Sequence, residues 1–127
     1  MIHFDTNALV ALPLWAEQGH CVVQLIAGGE PAAVSTIVWY EFLIGPVSEE
    51  EIALAYAFVR GNLVDIEAAD ARLAAELYNA AGRKRALKTD ALIAACAIRG
   101  NARLLTLNLD DFAPFRSAGL SLVDPAP

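Results

Sequence analysis

Short apolar runs and longer helical patterns alternate along the whole chain. Apolar runs at residues 2–4, 33–35 and 103–107 predict buried strands, and residues 63–66 alternate like a further strand. Residues 120–123 predict an edge strand. Strands that alternate with helices imply a parallel sheet with right-handed crossovers.

Helical patterns fill the intervals between these strands. Ser48 and Glu51 have the spacing of a capping box at the start of a helix that runs to about residue 59. Thr89 is expected to cap a helix over residues 90–99 that is apolar on nearly every side and therefore buried. Further helices are predicted over residues 8–12 (broken near Pro13), 20–27, 36–44 and 68–81, with a turn or short helix over 110–115.

This order of elements predicts one α/β domain over residues 1–127. The expected architecture is three layers, α/β/α, around a short central parallel sheet, and residues 124–127 are expected to form a loose tail. A chain of 127 residues is long enough to bury one core.

The composition adds an expectation about interfaces. Hydrophobic residues make up 57% of the chain, more than one core of this size can hide, so we expect contact with another copy or with a partner. No apolar run is long enough to span a membrane, and residues 1–5 do not look like a signal peptide. Cys21 and Cys96 have no metal-binding spacing and are expected to be buried thiols of a cytoplasmic protein.

The charge alone argues against binding to nucleic acid, because the net charge is −6. Four of the nine basic residues nevertheless fall within six positions, at Arg83, Lys84, Arg85 and Lys88. Such a cluster can hold phosphates while acids elsewhere hold a metal, and a merely solvated loop is the alternative.

Acidic residues follow two of the predicted strands. Asp5 comes directly after the first strand, and Asp110 and Asp111 follow the strand at residues 103–107, with Asn108 nearby. Ligands of open α/β sheets gather beyond the carboxyl ends of the strands. Taken singly, Asp5 could only cap the next helix, and the later acids could only form a polar turn.

Two further acids stand in apolar surroundings. Glu41 is the only charged residue between Pro31 and Ser48, and an unpaired buried carboxylate is costly unless it has a partner, a metal or a proton. Asp90 opens the apolar helix, where the helix dipole alone would favour it, although a buried helix also holds an acid rigidly.

Together these acids predict a cation site at one edge of the sheet. Three or four clustered carboxylates do not all stay ionised without a cation, and ligands that are only oxygens select Mg²⁺ or Mn²⁺. His3 and His20 do not fit a metal-binding spacing.

Four ordered segments carry a resemblance to a known family. The chain resembles the PIN domain, in the form found in VapC-type toxins of VapBC toxin–antitoxin pairs, from residue 2 to residue 115. The matching segments are Phe4-Asp5-Thr6-Asn7, Ser35-Thr36-Ile37-Val38-Trp39-Tyr40-Glu41-Phe42 with Gly45 after it, Thr89-Asp90-Ala91-Leu92-Ile93-Ala94-Ala95-Cys96-Ala97, and Thr106-Leu107-Asn108-Leu109-Asp110-Asp111-Phe112.

The resemblance implies roles for the acids. Asp5 and Asp90 would be the main metal ligands, and Glu41 would complete the ligand set or hold a metal-bound water. Asp111 would be the fourth acid, with Asp110 or Asn108 as possible substitutes. Thr6, Asn108 and Asp110 would be supporting polar groups.

The resemblance also implies an activity and partners. The chain would be an Mg²⁺- or Mn²⁺-dependent endoribonuclease that hydrolyses RNA phosphodiesters with a metal-activated water, as the toxin of a type II toxin–antitoxin system. It would form a homodimer and bind a VapB-like antitoxin, and the basic residues 83–88 would then lie on the path of the RNA phosphates.

Rival interpretations are of two kinds. A catalytically weak PIN-fold module that binds an antitoxin or RNA without efficient cleavage is the main alternative. A haloacid-dehalogenase-like phosphatase needs a second Asp where Asn7 stands, and a receiver domain needs an Asp and Lys pair for which no candidate stands out.

Overall fold

The computed structural model describes residues 1–126. Five strands form one parallel sheet in the order β3-β2-β1-β4-β5. The strands are β1 (Ile2–Phe4), β2 (Ala32–Ser35), β3 (Leu63–Val64), β4 (Arg103–Leu105) and β5 (Ser121–Val123). The predicted α/β class with a central parallel sheet is confirmed, and so is the edge position of the last strand.

Seven helices connect these strands within the described residues. They are α1 (Thr6–Gln18), α2 (Cys21–Ala27), α3 (Thr36–Leu43), α4 (Glu49–Phe58), α5 (Ala68–Ala80), α6 (Lys88–Arg99) and α7 (Leu109–Phe112). Short 3₁₀ turns, Arg85–Leu87 and Ala113–Ala118, precede α6 and follow α7. The Ser48–Glu51 capping box at the start of α4 is present as predicted.

The sheet order places a reversal of direction at β1. The chain first steps from β1 to β2 and β3, and it then returns to the other side of β1 to add β4 and β5. Because parallel crossovers are right-handed, the connections before and after this reversal cover opposite faces of the sheet. The crevice between the carboxyl ends of β1 and β4 is therefore the place where such a fold binds ligands.

The central elements β1, β2 and α6 are mostly buried. All residues of β1 and β2 are buried, and so is most of α6, including every residue from Ile93 to Ala97. The alanines of α6 allow it to pack closely on both α5 and the sheet. The prediction that this helix is buried is confirmed, and it gives Asp90 a rigid support.

Two predicted helix ends are wrong. Helix α1 continues through Pro13 to Gln18 instead of breaking there. Proline removes the hydrogen bond to the carbonyl four residues earlier and crowds that carbonyl with its ring, and burial of Leu9, Leu12 and Trp15 on one side of α1 outweighs this cost. Thr89 does not cap α6, because the helix begins at Lys88 directly after the 3₁₀ turn, and Asp90 lies within its first turn.

The expectations about Cys21 and the carboxyl-terminal tail also need correction. Cys21 is exposed, because it opens α2 on the side away from the buried Val22 and Ile26, whereas Cys96 is buried as expected. In the segment expected to be loose, Pro125 is buried and its carbonyl oxygen lies 2.7 Å from His20 Nε2. Pro127, the last residue of that segment, lies outside the described residues.

The surface carries many large apolar side chains, in line with the high apolar content. No single helix within residues 1–126 is long and apolar enough to cross a membrane, and α1 and α2 reach the required length only as a pair bent by 89°. The exposed large apolar residues are Met1, Val10, Leu14, Leu25, Tyr40, Leu43, Ile44, Leu54, Tyr56 and Leu107.

Candidate metal centre

Asp5 lies at the reversal point of the sheet, directly after β1. Its Oδ1 accepts a hydrogen bond of 2.8 Å from the backbone N–H of Thr6, so it caps α1. Its Oδ2 accepts a second hydrogen bond of 2.8 Å from the hydroxyl of Thr106, which follows β4. This second bond crosses the crevice between the two central strands, so Asp5 is both a helix cap and part of the crevice.

Two residues that fix this crevice were not assigned roles from the sequence. Thr106 is fully buried, and its hydroxyl also accepts a hydrogen bond from the backbone N–H of Asn108 at 3.0 Å. Asn7 Oδ1 accepts a hydrogen bond from the backbone N–H of Leu107 at 3.0 Å. The Asn7 bond ties the loop after β4 to the start of α1, and the Thr106 bond holds the turn within that loop, so together they set where the later acids can lie.

Glu41 joins the same network through Thr6. The hydroxyl of Thr6 donates a hydrogen bond of 2.8 Å to Glu41 Oε1, while the Thr6 backbone N–H donates to Asp5. One threonine therefore holds two carboxylates that are 36 positions apart in the chain. Glu41 is half-buried, and it is reached by Thr6 because α1 and α3 pack against each other.

Burial and crowding raise the pKa of Asp5. Desolvation is the largest cause, and the hydrogen bonds from Thr106 and Thr6 act in the opposite direction. The neighbouring carboxylates of Glu41 and Asp111 raise the pKa further. Asp5 is thus a carboxyl that is costly to ionise unless a positive charge comes close.

Asp90 is perturbed more strongly. Burial raises the pKa of Asp90 to about 6, and the charges of Asp5, Asp111 and Glu41, in that order, add to the effect of burial. Because each of these three charges acts on Asp90, the four acids form one electrostatic cluster. The four acids come from four segments of the chain. Asp5 follows β1, Glu41 lies in α3, Asp90 lies in the first turn of α6, and Asp111 follows β4.

The last acidic segment is the most open part of the site. Asp110, Asp111 and Asn108 are all exposed, and together with Leu107 and Leu109 they line a cavity of about 420 Å³. Asp111 acts on both Asp5 and Asp90 through its charge, whereas Asp110 does not enter the causes of either pKa shift. This difference favours Asp111 over Asp110 as the acid that acts on the crevice.

The donor set fits a hard divalent cation. Within residues 1–126, no three His, Cys, Asp or Glu side chains already converge closely enough to enclose an ion. Mg²⁺ does not need such a cage, because it keeps several waters and is usually held by one or two carboxylates and substrate phosphates. Oxygen atoms from carboxylates, hydroxyls and an amide are the donors available around the crevice, and His3 and His20 lie elsewhere.

Comparison with known proteins decides the family. The family model of the PIN domain matches residues 2–116. The chain belongs to the PIN domain family. The resemblance drawn from the four sequence segments is thereby confirmed, and PIN domains are generally nucleases that use divalent metal ions.

Solved structures of similar fold are toxin–antitoxin complexes. A toxin–antitoxin complex from Klebsiella pneumoniae contains a chain 25% identical to this PIN domain, with a TM-score of 0.70 over 99% of this chain and 98% of that chain. VapBC2 from Rickettsia felis, bound to a DNA fragment from its promoter, gives 25% identity and a TM-score of 0.68 over 97% and 98% of the two chains.

A third similar structure is more distant in sequence. DNA-bound VapBC from Salmonella typhimurium gives 19% identity and a TM-score of 0.75, with 98% of each chain covered, and this likeness shows the fold alone. A search of curated protein sequences gives no match to the chain.

The basic segment of this PIN domain is only partly free to bind a ligand. Arg83 donates a hydrogen bond to Asn79 and its guanidinium lies 5.6 Å from the centre of the Tyr78 ring. Lys84, Arg85 and Lys88 are exposed and form no ion pair within the described residues. Lys88 begins α6 two positions before Asp90, so the end of the segment next to the acids carries free positive charge.

Proposed function

We propose that this PIN domain is an Mg²⁺- or Mn²⁺-dependent endoribonuclease that acts as the toxin of a type II toxin–antitoxin pair. The observation that carries the proposal is the set of hydrogen bonds around Asp5, which links it through Thr6 to Glu41 and across the crevice to Thr106. Asp90 lies beside this set, and its pKa is raised by burial and by the other acids. Membership of the PIN family and the toxin–antitoxin character of the similar structures support it.

In this proposal Asp5 and Asp90 are the principal metal ligands. Both carboxyls have a raised pKa, so a cation removes an existing electrostatic penalty when it binds. Glu41 completes the ligand set or orients a water, and Asp111 is the fourth acid. Thr6 positions two of the carboxylates, while Asp110 and Asn108 support the open side of the site.

The residues around the crevice have different roles in the proposed hydrolysis. A bound Mg²⁺ or Mn²⁺ would supply Lewis acidity, which would lower the pKa of a water molecule so that it can lose a proton and attack as hydroxide, and would offset charge on the phosphate. Glu41, held at its Oε1 by the Thr6 hydroxyl, can accept a hydrogen bond from that water with its other oxygen. Lys84, Arg85 and Lys88, with Arg83 as a more constrained neighbour, attract the RNA backbone toward an otherwise acidic protein.

The exposed apolar side chains support the proposed partners. Val10 and Leu14 lie one turn apart on α1, and Tyr40 and Ile44 lie one turn apart at the end of α3, all exposed by more than half. Packed interfaces bury side chains of this kind. In this proposal these surfaces form the contacts of a homodimer and of a VapB-like antitoxin. The protein and its antitoxin act in the cytoplasm.

A second candidate is a PIN-fold module that binds an antitoxin or RNA but cleaves poorly. It is favoured by one observation, namely that in the part of the chain that the structure describes no three acids converge closely enough to hold an ion. A metal-binding experiment separates the two candidates, because a metal that binds only the folded chain raises its melting temperature.

The experiment is thermal unfolding with EDTA and with increasing Mn²⁺. At a Mn²⁺ concentration of about one hundred times Kd, the parent should gain about 2.7 kcal/mol of stability. Asp5→Asn and Asp90→Asn should each lose most of this gain, and Glu17→Gln, which removes an exposed acid on α1, should keep it. A parent that gains nothing from Mn²⁺ or Mg²⁺ favours the inert module.

A further inference from the structure

A second cavity adjoins the one that contains Asp111. It has a volume of about 280 Å³, and Leu109 and Asp110 line both cavities, so the two are neighbours along α7. Arg116 contributes the positive charge of this second cavity. Its full lining is Leu109, Asp110, Ala113, Arg116, Leu122 and Asp124.

Arg116 has a rigid support and a free guanidinium. Its neighbour Phe115 is buried and packs edge-on against Phe112, with the ring centres 6.3 Å apart. Its backbone carbonyl accepts a hydrogen bond of 3.0 Å from Gly119, whose φ of 107° suits glycine at the end of the 3₁₀ turn. The backbone of Arg116 is therefore held, while its side chain is exposed to solvent.

Among residues 1–126 the guanidinium has no carboxylate partner, although two carboxylates line the same cavity. Arg72, Arg99 and Arg103 each lie within 4.0 Å of a carboxylate oxygen. Within residues 1–126, Arg116 forms no such pair with Asp110 or Asp124. The Arg116 guanidinium is therefore not used in an ion pair within the described residues, and it is available for a ligand.

The position of Arg116 beside Asp110 indicates which kind of ligand its positive charge would bind. If an RNA strand approached the crevice along the cavity lined by residues 107–111, Asp110 and Asp111 would repel its phosphates. A guanidinium beside Asp110 offsets that repulsion, and its planar pair of N–H donors matches two phosphate oxygens. Lys88 offers positive charge on α6 next to Asp90, and Arg116 offers it on a different element next to Asp110.

We propose that Arg116 binds a backbone phosphate of the RNA that is next to the acid cluster. This proposal rests on the proposed ribonuclease function and extends it, because it assigns the cavity beside α7 to the RNA strand. RNA would then contact the protein on both sides of the acids, at Lys84 to Lys88 and at Arg116.

The test compares RNA binding by variants that cannot cleave. Each protein carries Asp90→Asn, and the probe is a fluorescein-labelled single-stranded RNA of mixed sequence and about 20 nucleotides. Kd is measured by fluorescence anisotropy at several salt concentrations for the Asp90→Asn protein alone and with Arg116→Gln, Arg116→Lys or Arg72→Gln added. Arg72 is an exposed arginine on α5 and provides the matched control.

The expected result is specific to one position. Arg116→Gln should weaken binding roughly tenfold and reduce the slope of log K against log salt by about 0.7, the value for one phosphate contact on a single strand. Arg116→Lys should recover the slope and part of the affinity, since it keeps the charge but not the paired donors. Arg72→Gln should leave both quantities unchanged.

The outcomes that overturn the proposal are distinct from failure of the proposed function. If the Asp90→Asn protein binds RNA and Arg116→Gln leaves its affinity and salt slope unchanged, Arg116 is not a phosphate contact. The same holds if Arg72→Gln weakens binding as much, or if the affinity falls with no change in slope. If the unsubstituted chain neither cleaves nor binds RNA, the ribonuclease function itself fails, and the assignment of Arg116 fails with it.

Discussion

Replacement of Asp90 by asparagine should stabilise the metal-free protein. The pKa of Asp90 is raised from 3.8 to about 6, so its charged form is disfavoured by the fold. A shift of this size corresponds to ~3 kcal/mol for a fully buried group. Because the carboxyl is only half-buried and solvent screens it, we expect about 1 kcal/mol, or roughly 3–5 °C in melting temperature.

The sign of this effect depends on pH in a defined way. A carboxyl whose pKa is raised in the folded state favours folding below its unfolded pKa of 3.8, and that contribution is lost as pH rises through about 6. The gain from Asp90→Asn should therefore be fully developed at pH 7.5 and should vanish near pH 4. Asparagine has the same shape, so no cavity confuses the comparison.

The assay is thermal unfolding followed by circular dichroism, in EDTA, at pH 7.5 and pH 4. Glu17→Gln serves as a control for loss of one negative charge, because Glu17 is exposed on α1. The reasoning is refuted if Asp90→Asn melts below the parent at pH 7.5. It is also refuted if Asp90→Asn gains the same stability at both pH values, or if Glu17→Gln gains as much.

Three other predictions concern the site and its frame. Thr106→Val leaves Asp5 Oδ2 without its hydrogen bond and should lower the free energy of unfolding by about 1–3 kcal/mol, measured by chemical denaturation. Thr106→Ser keeps the hydroxyl and should be close to the parent, so an equal loss of stability in both variants would contradict the role of the hydroxyl. Mn²⁺ affinity, measured from the rise in melting temperature, should fall as pH drops through about 6, since Asp90 must be deprotonated to bind. Constant affinity from pH 5 to pH 8 would contradict the combination of a raised pKa and a ligand role for Asp90. Ser48→Ala removes half of the capping box with Glu51 and should cost about 1 kcal/mol without a change in Mn²⁺ affinity, and a changed Mn²⁺ affinity would show that α4 is coupled to the site.

Local patterns were enough to predict most of the fold. The strands at the start of the chain and after α6 are apolar runs that end at polar residues, and their order with helices specifies a parallel sheet. Helix ends were harder to predict, because the tertiary packing decides them. Pro13 is tolerated within α1 since the buried side of that helix continues to Trp15, which no local signal at Pro13 reveals.

The acids of the proposed site stood out in the sequence, but the hydrogen bonds that connect them did not. Asp5, Glu41 and Asp90 are recognisable because each is an acid beside or within an apolar segment. The hydrogen bond between Thr106 and Asp5 joins residues 101 positions apart, and that between Asn7 and Leu107 joins residues 100 positions apart. The only local signal for Thr106 was its place directly after the buried strand β4, where a polar residue needs a partner.

The sequence identified the basic residues 83–88 as a cluster but did not show which of them are free to bind a ligand. The cluster at residues 83–88 was visible in the sequence, but the engagement of Arg83 with Asn79 and Tyr78 became evident only in three dimensions. Arg116 is isolated in sequence and gains significance from the cavity that it shares with Asp110.

Cleavage of RNA tests the central claim most directly. The purified chain, freed of any bound partner, is incubated with total bacterial RNA in EDTA, in Mg²⁺ and in Mn²⁺, alongside Asp5→Asn and Asp90→Asn variants shown to be folded. The account predicts cleavage by the parent only when a divalent ion is present, and none above background by either variant. Cleavage by a folded variant at the parent rate, or equal cleavage by the parent in EDTA, would contradict it.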